Sequence, residues 1–146
     1  MQNPLVLSLR TILLTLQGRV HFCMDLEGAG LRDQGEDFRA FRKVVVEPTA
    51  SEPGHIGAIF QVRFRFKNFS ETTNRRLSLI PIPLILAQPG FRSKTWLLGN
   101  RTGDFIGHYE FTTLDNAEAY WGSLPLRMMR RRAAPDSLTH KITPVS

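Results

Sequence analysis

At 146 residues, 42% apolar and 22% charged, the chain suits one globular domain with room for an appendage, which excludes a wholly disordered protein. Its net charge of +6 permits an anionic partner, but the positives are scattered apart from Arg39/Arg42-Lys43, Arg75-Arg76 and Arg130-Arg131-Arg132. Cys23 is the single cysteine, so neither an intrachain disulfide nor a multi-cysteine zinc site is available, and a cytoplasmic setting fits best.

Residues 4 to 16, PLVLSLRTILLTL, open the chain with an apolar run interrupted by Arg10. A spanning helix needs about 20 apolar residues, and a signal peptide carries its cations before its apolar core, so no membrane segment is expected. Leu5, Leu9, Ile12, Leu13 and Leu16 recur at helical spacing, and Asn3-Pro4 has the form of a helix start. This stripe is expected to pack against protein. Gly28 to Gly35 reads as a polar connection, Phe38 and Phe41 as a short helical turn, and Val44 to Val46 as a short strand stopped by Pro48. Residues 47 to 57, EPTASEPGHIG, have a linker's composition. Residues 1–56 are therefore expected to form an N-terminal extension of helix, loop and short strand, and residues 57–146 the main domain.

From residue 58 the pattern sharpens. AIFQVRFRFKNF puts Phe60, Val62, Phe64 and Phe66 on one side and Gln61, Arg63, Arg65 and Lys67 on the other, which is a strand with one apolar face. Ser70 is placed to start a helix through Leu79. Pro81 and Pro83 disfavour helical geometry at the residues before them, so a break near 80–83 is expected, with a last turn through Ala87. After a turn at Pro89-Gly90 come the strand FRSKTWLLG, a hairpin turn at Asn100 to Gly103, and the strand DFIGHYEFTT. Asp115 and Glu118 have capping-box spacing and open a second helix through Trp121 and Met129. LTHKITPV reads as an edge strand. The order strand–helix–strand–strand–helix–strand is the ferredoxin-like βαββαβ plan, an α+β fold with one antiparallel sheet and both helices on one face.

Pro89, Gly90, Phe91, Lys94, Trp96, Tyr109, Phe111 and the helix opening Asp115, Ala117, Glu118, Ala119, Tyr120, Trp121 give residues 57 to 144 a resemblance to the dimeric α+β barrel superfamily, in particular to small monooxygenases related to antibiotic-biosynthesis monooxygenases. That resemblance implies a homodimer closed through the helix-free sheet face, and a cofactor-independent oxygenase chemistry on electron-rich aromatic compounds. Some family members degrade haem with an Asn, a Trp and a His. Here the tryptophan position falls near Phe111 and the histidine position near Arg130 or Arg131, so haem chemistry is set aside.

Among residues able to carry chemistry, His108 is a candidate general base, because imidazole titrates near neutrality. Its neighbour Tyr109 is a second catalytic candidate. A strand histidine is more often simply hydrogen-bonded to a neighbour. Arg63, Arg65 and Lys94 are candidate ligand-binding cations expected on the sheet face opposite the helices, with Glu110 or a bound anion expected to meet Arg63 and Arg65, since a buried charge needs a partner. Trp96, Phe111 and Trp121 are candidate walls of an aromatic pocket, although aromatics also fill small cores. The chain has no G-x-S-x-G, P-loop or G-x-G-x-x-G motif and no paired-histidine spacing, so no metal or other cofactor is expected. The arginines and aromatics do not share one alternating face, which argues against nucleic acid. Two function classes remain: a small monooxygenase-like enzyme acting on an aromatic or anionic organic ligand, or a non-catalytic ligand-binding or structural dimer.

Overall fold

A computed structural model describes residues 2–23 and 25–146. Helix α1 (Pro4–Leu16) starts where Asn3 caps it, its Oδ1 accepting from the Leu5 and Val6 amides. Three strands follow, β1 (Val20–Cys23), β2 (Gly30–Asp33) and β3 (Glu36–Val46). The βαββαβ unit comprises β4 (Ala58–Phe64), α2 (Glu71–Leu77), α3 (Ile82–Leu86), β5 (Phe91–Gly99), β6 (Phe105–Phe111), α4 (Leu114–Tyr120), α5 (Leu124–Arg132) and β7 (Thr139–Pro144). The sheet order is β1-β3-β5-β6-β4-β7, with β2 beside β3 and every pairing antiparallel. Strands β7-β4-β6-β5 are the ferredoxin-like core, and the fold expected from the sequence is the fold found.

The first 50 residues hold more structure than their sequence suggested. The polar stretch before Glu36 is half of a hairpin, β2–β3, whose turn places Gln34 at φ 49° and Gly35 at φ 77°. Phe38 and Phe41 lie on an eleven-residue strand, not a helical turn. A spacing of three in a strand sends two rings to opposite faces. Phe38 joins Ala40, Leu97 and Ile106 on one side, while Phe41 meets Phe105 edge-on at 6.0 Å on the other. A register shift between Ala40 and Arg42, where β3 pairs with β5, completes the change of aim.

Two further corrections concern helices. The cap of α4 is Thr113, whose side chain accepts from the Asn116 amide, so Asp115 lies inside the first turn instead of opening a capping box. In α1 the buried positions are Leu7, Thr11 and Leu14, and the stripe expected to pack inward is exposed: Leu5, Leu9, Ile12, Leu13 and Leu16 are each at least 54% accessible. Thr11 decides the orientation by donating its hydroxyl to the Pro83 carbonyl of α3, which tucks the other side of the helix inward.

The expected break between α2 and α3 is present. Ser70 caps α2, the chain turns over Ser78 to Pro81, and Pro83 falls in the first turn of α3, where no amide donor is required. The main core lies between the sheet and the helices, with Phe60, Val62, Phe91, Phe111, Tyr120, Ile85 and Leu126 at 2% accessibility or less. A second small core of Phe38, Ala40, Leu97 and Ile106 sits on the helix-free face beneath Leu26 and Leu31. Residues 1–50 do not roof that face as a layer. Helix α1 packs beside α3, and β1 to β3 widen the sheet.

Candidate functional site

Strand alternation divides the candidate residues between two faces of the sheet. On β6, Phe105, Gly107, Tyr109 and Phe111 point toward the helices, and Ile106, His108 and Glu110 away from them. His108 and Tyr109, one residue apart, therefore serve different faces. On β5, Lys94 and Trp96 face the helices, and Ser93, Thr95 and Leu97 do not, so Lys94 lies on the face opposite to the one expected, because alternation along β5 sets it beside Trp96 and across from Tyr109.

The helix-bearing side encloses a cavity of about 270 Å³. Its floor is Lys94, Trp96, Phe105, Gly107 and Tyr109, with Phe64 and Phe66 at one end. Its roof is Leu77, Ser78, Ile80, Pro81 and Ile85 on one side and Pro125, Met128, Met129 and Arg132 on the other. Tyr120 closes the interior end against Tyr109, ring centroids 4.7 Å apart. Gly107 is required by the floor, because a Cβ there would lie 2.8 Å from Tyr109 Cε1. Burial raises both tyrosine hydroxyls above the ordinary phenol range, which keeps them protonated.

Lys94 is the exceptional group in this lining. It is 8% accessible, and its Nζ makes no hydrogen bond or ion pair among the described residues. The nearest groups are aromatic faces, Trp96 at 4.4 Å and Tyr109 at 4.7 Å. Burial pushes the ammonium well below the usual lysine range, and the charge of Arg42 acts in the same direction. Arg42 itself is committed to the Ser78 hydroxyl and the Arg75 carbonyl, and Arg132 to the Asn74 side chain.

The other sequence candidates lie elsewhere. Arg63 meets neither Glu110 nor an open anion site. It is held on the helix-free face by Asp33 at 2.9 Å, Glu36 at 2.9 Å and Asp104 at 2.8 Å, and Arg65 shares Asp104. Asp33 and Glu36 come from the β2–β3 hairpin, which the sequence had not disclosed, and Asp104 from the turn before β6. Burial alone would raise the Glu36 carboxyl, but donors from Thr102 and Arg101 together with Arg63 outweigh it and lower the pKa to about 2. Glu110 accepts from the Ser93 hydroxyl. His108 Nδ1 lies 3.1 Å from the Gln61 side-chain oxygen. Burial lowers its pKa, Glu110 opposes that, and Lys43 and Lys141 reinforce it. Phe111 is core, beside Phe91 and Tyr120. Trp121 stacks on His140 at 3.8 Å and carries Arg130 at 4.6 Å, outside the cavity lining.

Of the nine candidates, the structure brings Lys94, Trp96 and Tyr109 together in one cavity. The residues missed, Ser78, Ile80 and Pro81 in the α2–α3 turn and Met128, Met129 and Arg132 on α5, face inward only through tertiary packing. One signal was available: Lys94, Trp96 and an apolar Leu98 alternate along β5, which places a lysine on an apolar face. Among the described residues no group of three or more His, Cys, Asp or Glu could hold a metal, and no helix is long and apolar enough to cross a membrane.

No family model and no curated sequence relative matches the chain. Solved structures do share its fold. The chain is similar to a heme-degrading enzyme from Listeria monocytogenes, with a TM-score of 0.58 at 9% identity over 79% of this chain and 74% of that one. It is also similar to an uncharacterized ferredoxin-fold protein related to antibiotic biosynthesis monooxygenases from Listeria monocytogenes 4b F2365, with a TM-score of 0.58 at 10% identity over 92% and 88% of the two chains. These likenesses show a shared ferredoxin-like α+β fold. Haem does not fit the residues here. No histidine or cysteine lines the cavity, its tyrosines are held protonated, and about 270 Å³ is too small for the macrocycle.

Proposed function

We propose that the cavity over β5 and β6 binds a small organic ligand with an aromatic ring and one polar substituent, and that the protein acts on it as a cofactor-independent monooxygenase-like enzyme. The observation that carries this reading is an apolar, aromatic-walled cavity containing one buried amine with no partner among the described residues. Ligand sites are commonly apolar clefts with a few placed polar groups. The ring would lie against Trp96 and Tyr109, and the substituent, neutral or anionic, would meet Lys94. Ser78 supplies a second polar atom to the lining, already bonded to Arg42 and to the Arg75 carbonyl.

The second reading is a non-catalytic ligand-binding or structural dimer. It is supported by the division of His108 and Tyr109 between two faces, which leaves no histidine-assisted acid–base pair in the cavity. In both readings we propose a homodimer, because the helix-free face keeps a half-buried polar centre of Lys43, Gln61, Thr95 and His108. The single thiol supports a cytoplasmic setting.

A panel of phenols, aromatic acids and aromatic carbonyl compounds, read by thermal shift, tests ligand binding. Oxygen uptake with each stabilising compound then separates the enzyme from the binder. Ile85→Trp, which fills the cavity, should abolish the thermal shifts. If no compound stabilises the protein, or if Ile85→Trp leaves the shifts intact, the cavity is not the site.

A further inference from the structure

The cavity holds an amine in an unusual condition, and its chemistry narrows the ligand class. Lysines are strongly hydrated and are almost never fully buried without a partner. Lys94 lies across from Val44 on β3 and Tyr109 on β6, among apolar neighbours on both adjacent strands. The ring faces of Trp96 and Tyr109 attract an ammonium, but burial penalises the charged form and the Arg42 guanidinium opposes a second positive charge nearby. Burial and Arg42 both favour the neutral amine, whose lone pair no described residue engages. Desolvation in an apolar pocket beside another cation is how a lysine becomes a nucleophile. The way in is beside Ile80, which lines the cavity and is 64% accessible.

We propose that Lys94 is the nucleophile of the cavity and takes an aromatic aldehyde or ketone as an imine. This deepens the proposed function and rests on its placement of the ligand in the cavity. The Nζ lone pair attacks the carbonyl carbon, forming the C–N bond as the C=O π pair moves onto oxygen. The carbinolamine then loses its oxygen as water, which carries away both amine protons, and nitrogen and carbon are left doubly bonded. No oxidant or reductant is consumed. An anionic ligand fits less well, since it would have to shed its water in an apolar cavity whose lining arginine, Arg132, and nearby Arg42 are already engaged.

The sequence makes the test clean, because Lys43, Lys67, Lys94 and Lys141 are its only lysines. The full-length protein is incubated at neutral pH with benzaldehyde and cyanoborohydride, and the reduced adducts are mapped by peptide mass spectrometry. Thermal shift with benzaldehyde alone, and separately with benzoate, is recorded alongside. A desolvated amine should label more than about tenfold faster than a hydrated lysine whose pKa is near 10.4. The preference should vanish in denaturant, a control that requires no variant to fold. Lys94→Met should lose the fast adduct while the other three lysines label as before. Even labelling of all four lysines, with benzaldehyde still stabilising the protein, would overturn the nucleophile and leave the cavity reading standing. Stabilisation by benzoate without a Lys94 adduct would show the amine to be a charged anion receptor, which also overturns it. If neither compound stabilises the protein and no selective adduct forms, both readings fail.

Discussion

Replacing Arg63 with methionine isolates the ion network on the helix-free face. Three carboxylates converge on this guanidinium at 2.8 to 2.9 Å, and its side chain is 11% accessible while that of Glu36 is 0%. Removing one partner from a buried ion pair costs about 3–5 kcal/mol, because the remaining charge is left uncompensated. Glu36 keeps its Thr102 and Arg101 donors and Asp104 keeps Arg65, so the lower end, about 3 kcal/mol, is the expected loss. Methionine preserves the packing on Phe38, over which the guanidinium lies at 4.7 Å. At about 3–4 °C per kcal/mol for a chain of this length, the melting temperature should fall by roughly 10 °C. The pH dependence follows from Glu36, whose pKa is lowered from an ordinary 4.5 to about 2. A depressed carboxylate stabilises the fold fully above its unfolded value and loses that contribution as pH falls through its folded value. Without Arg63 the depression is smaller, so the gap between variant and wild type should narrow below about pH 4.5. Urea unfolding at neutral and acid pH measures this. A loss under about 1 kcal/mol, or a gap of equal size at about pH 7 and pH 3, would refute the network as a source of stability.

Thr113→Ala should cost about 1 kcal/mol through loss of the α4 cap, and Asp115→Ala a smaller helix-dipole contribution; the reverse order in thermal denaturation would restore the capping box read from sequence. Gly107→Ala should destabilise by about 1–3 kcal/mol and displace the Tyr109 ring, visible as lost near-ultraviolet dichroism, because the new Cβ has only 2.8 Å to the ring edge. Leu9→Glu with Leu13→Glu should change stability little, since both residues are more than half exposed in the single chain. If sedimentation shows that this pair turns a dimer into a monomer, α1 carries the dimer contact. A dimer that persists assigns the contact to the sheet face.

Local chemistry was enough for several elements. The strict alternation from Phe60 to Phe66, the Ser70 cap, the prolines at 81 and 83 and the Asn100–Gly103 turn all act within a few residues, so strand β4, the broken helix and the β5–β6 hairpin were legible. Alternation also implied that Lys94 and Trp96 share a face, and that His108 and Tyr109 do not. What sequence could not decide was set by partners distant along the chain. Strand β3 exists because β5 offers an edge to pair with, whereas the three-residue spacing of Phe38 and Phe41 alone resembles a helical repeat. The side of α1 that turns inward follows from Thr11 meeting a carbonyl 72 residues away, which no periodicity in an all-round apolar helix reveals. Arg63 found two of its three carboxylates, Asp33 and Glu36, on a hairpin hidden in a glycine-rich stretch. Lys94 acquired its character only when α2, α3 and α5 closed over β5 and removed water from an amine that the sequence shows as an ordinary lysine.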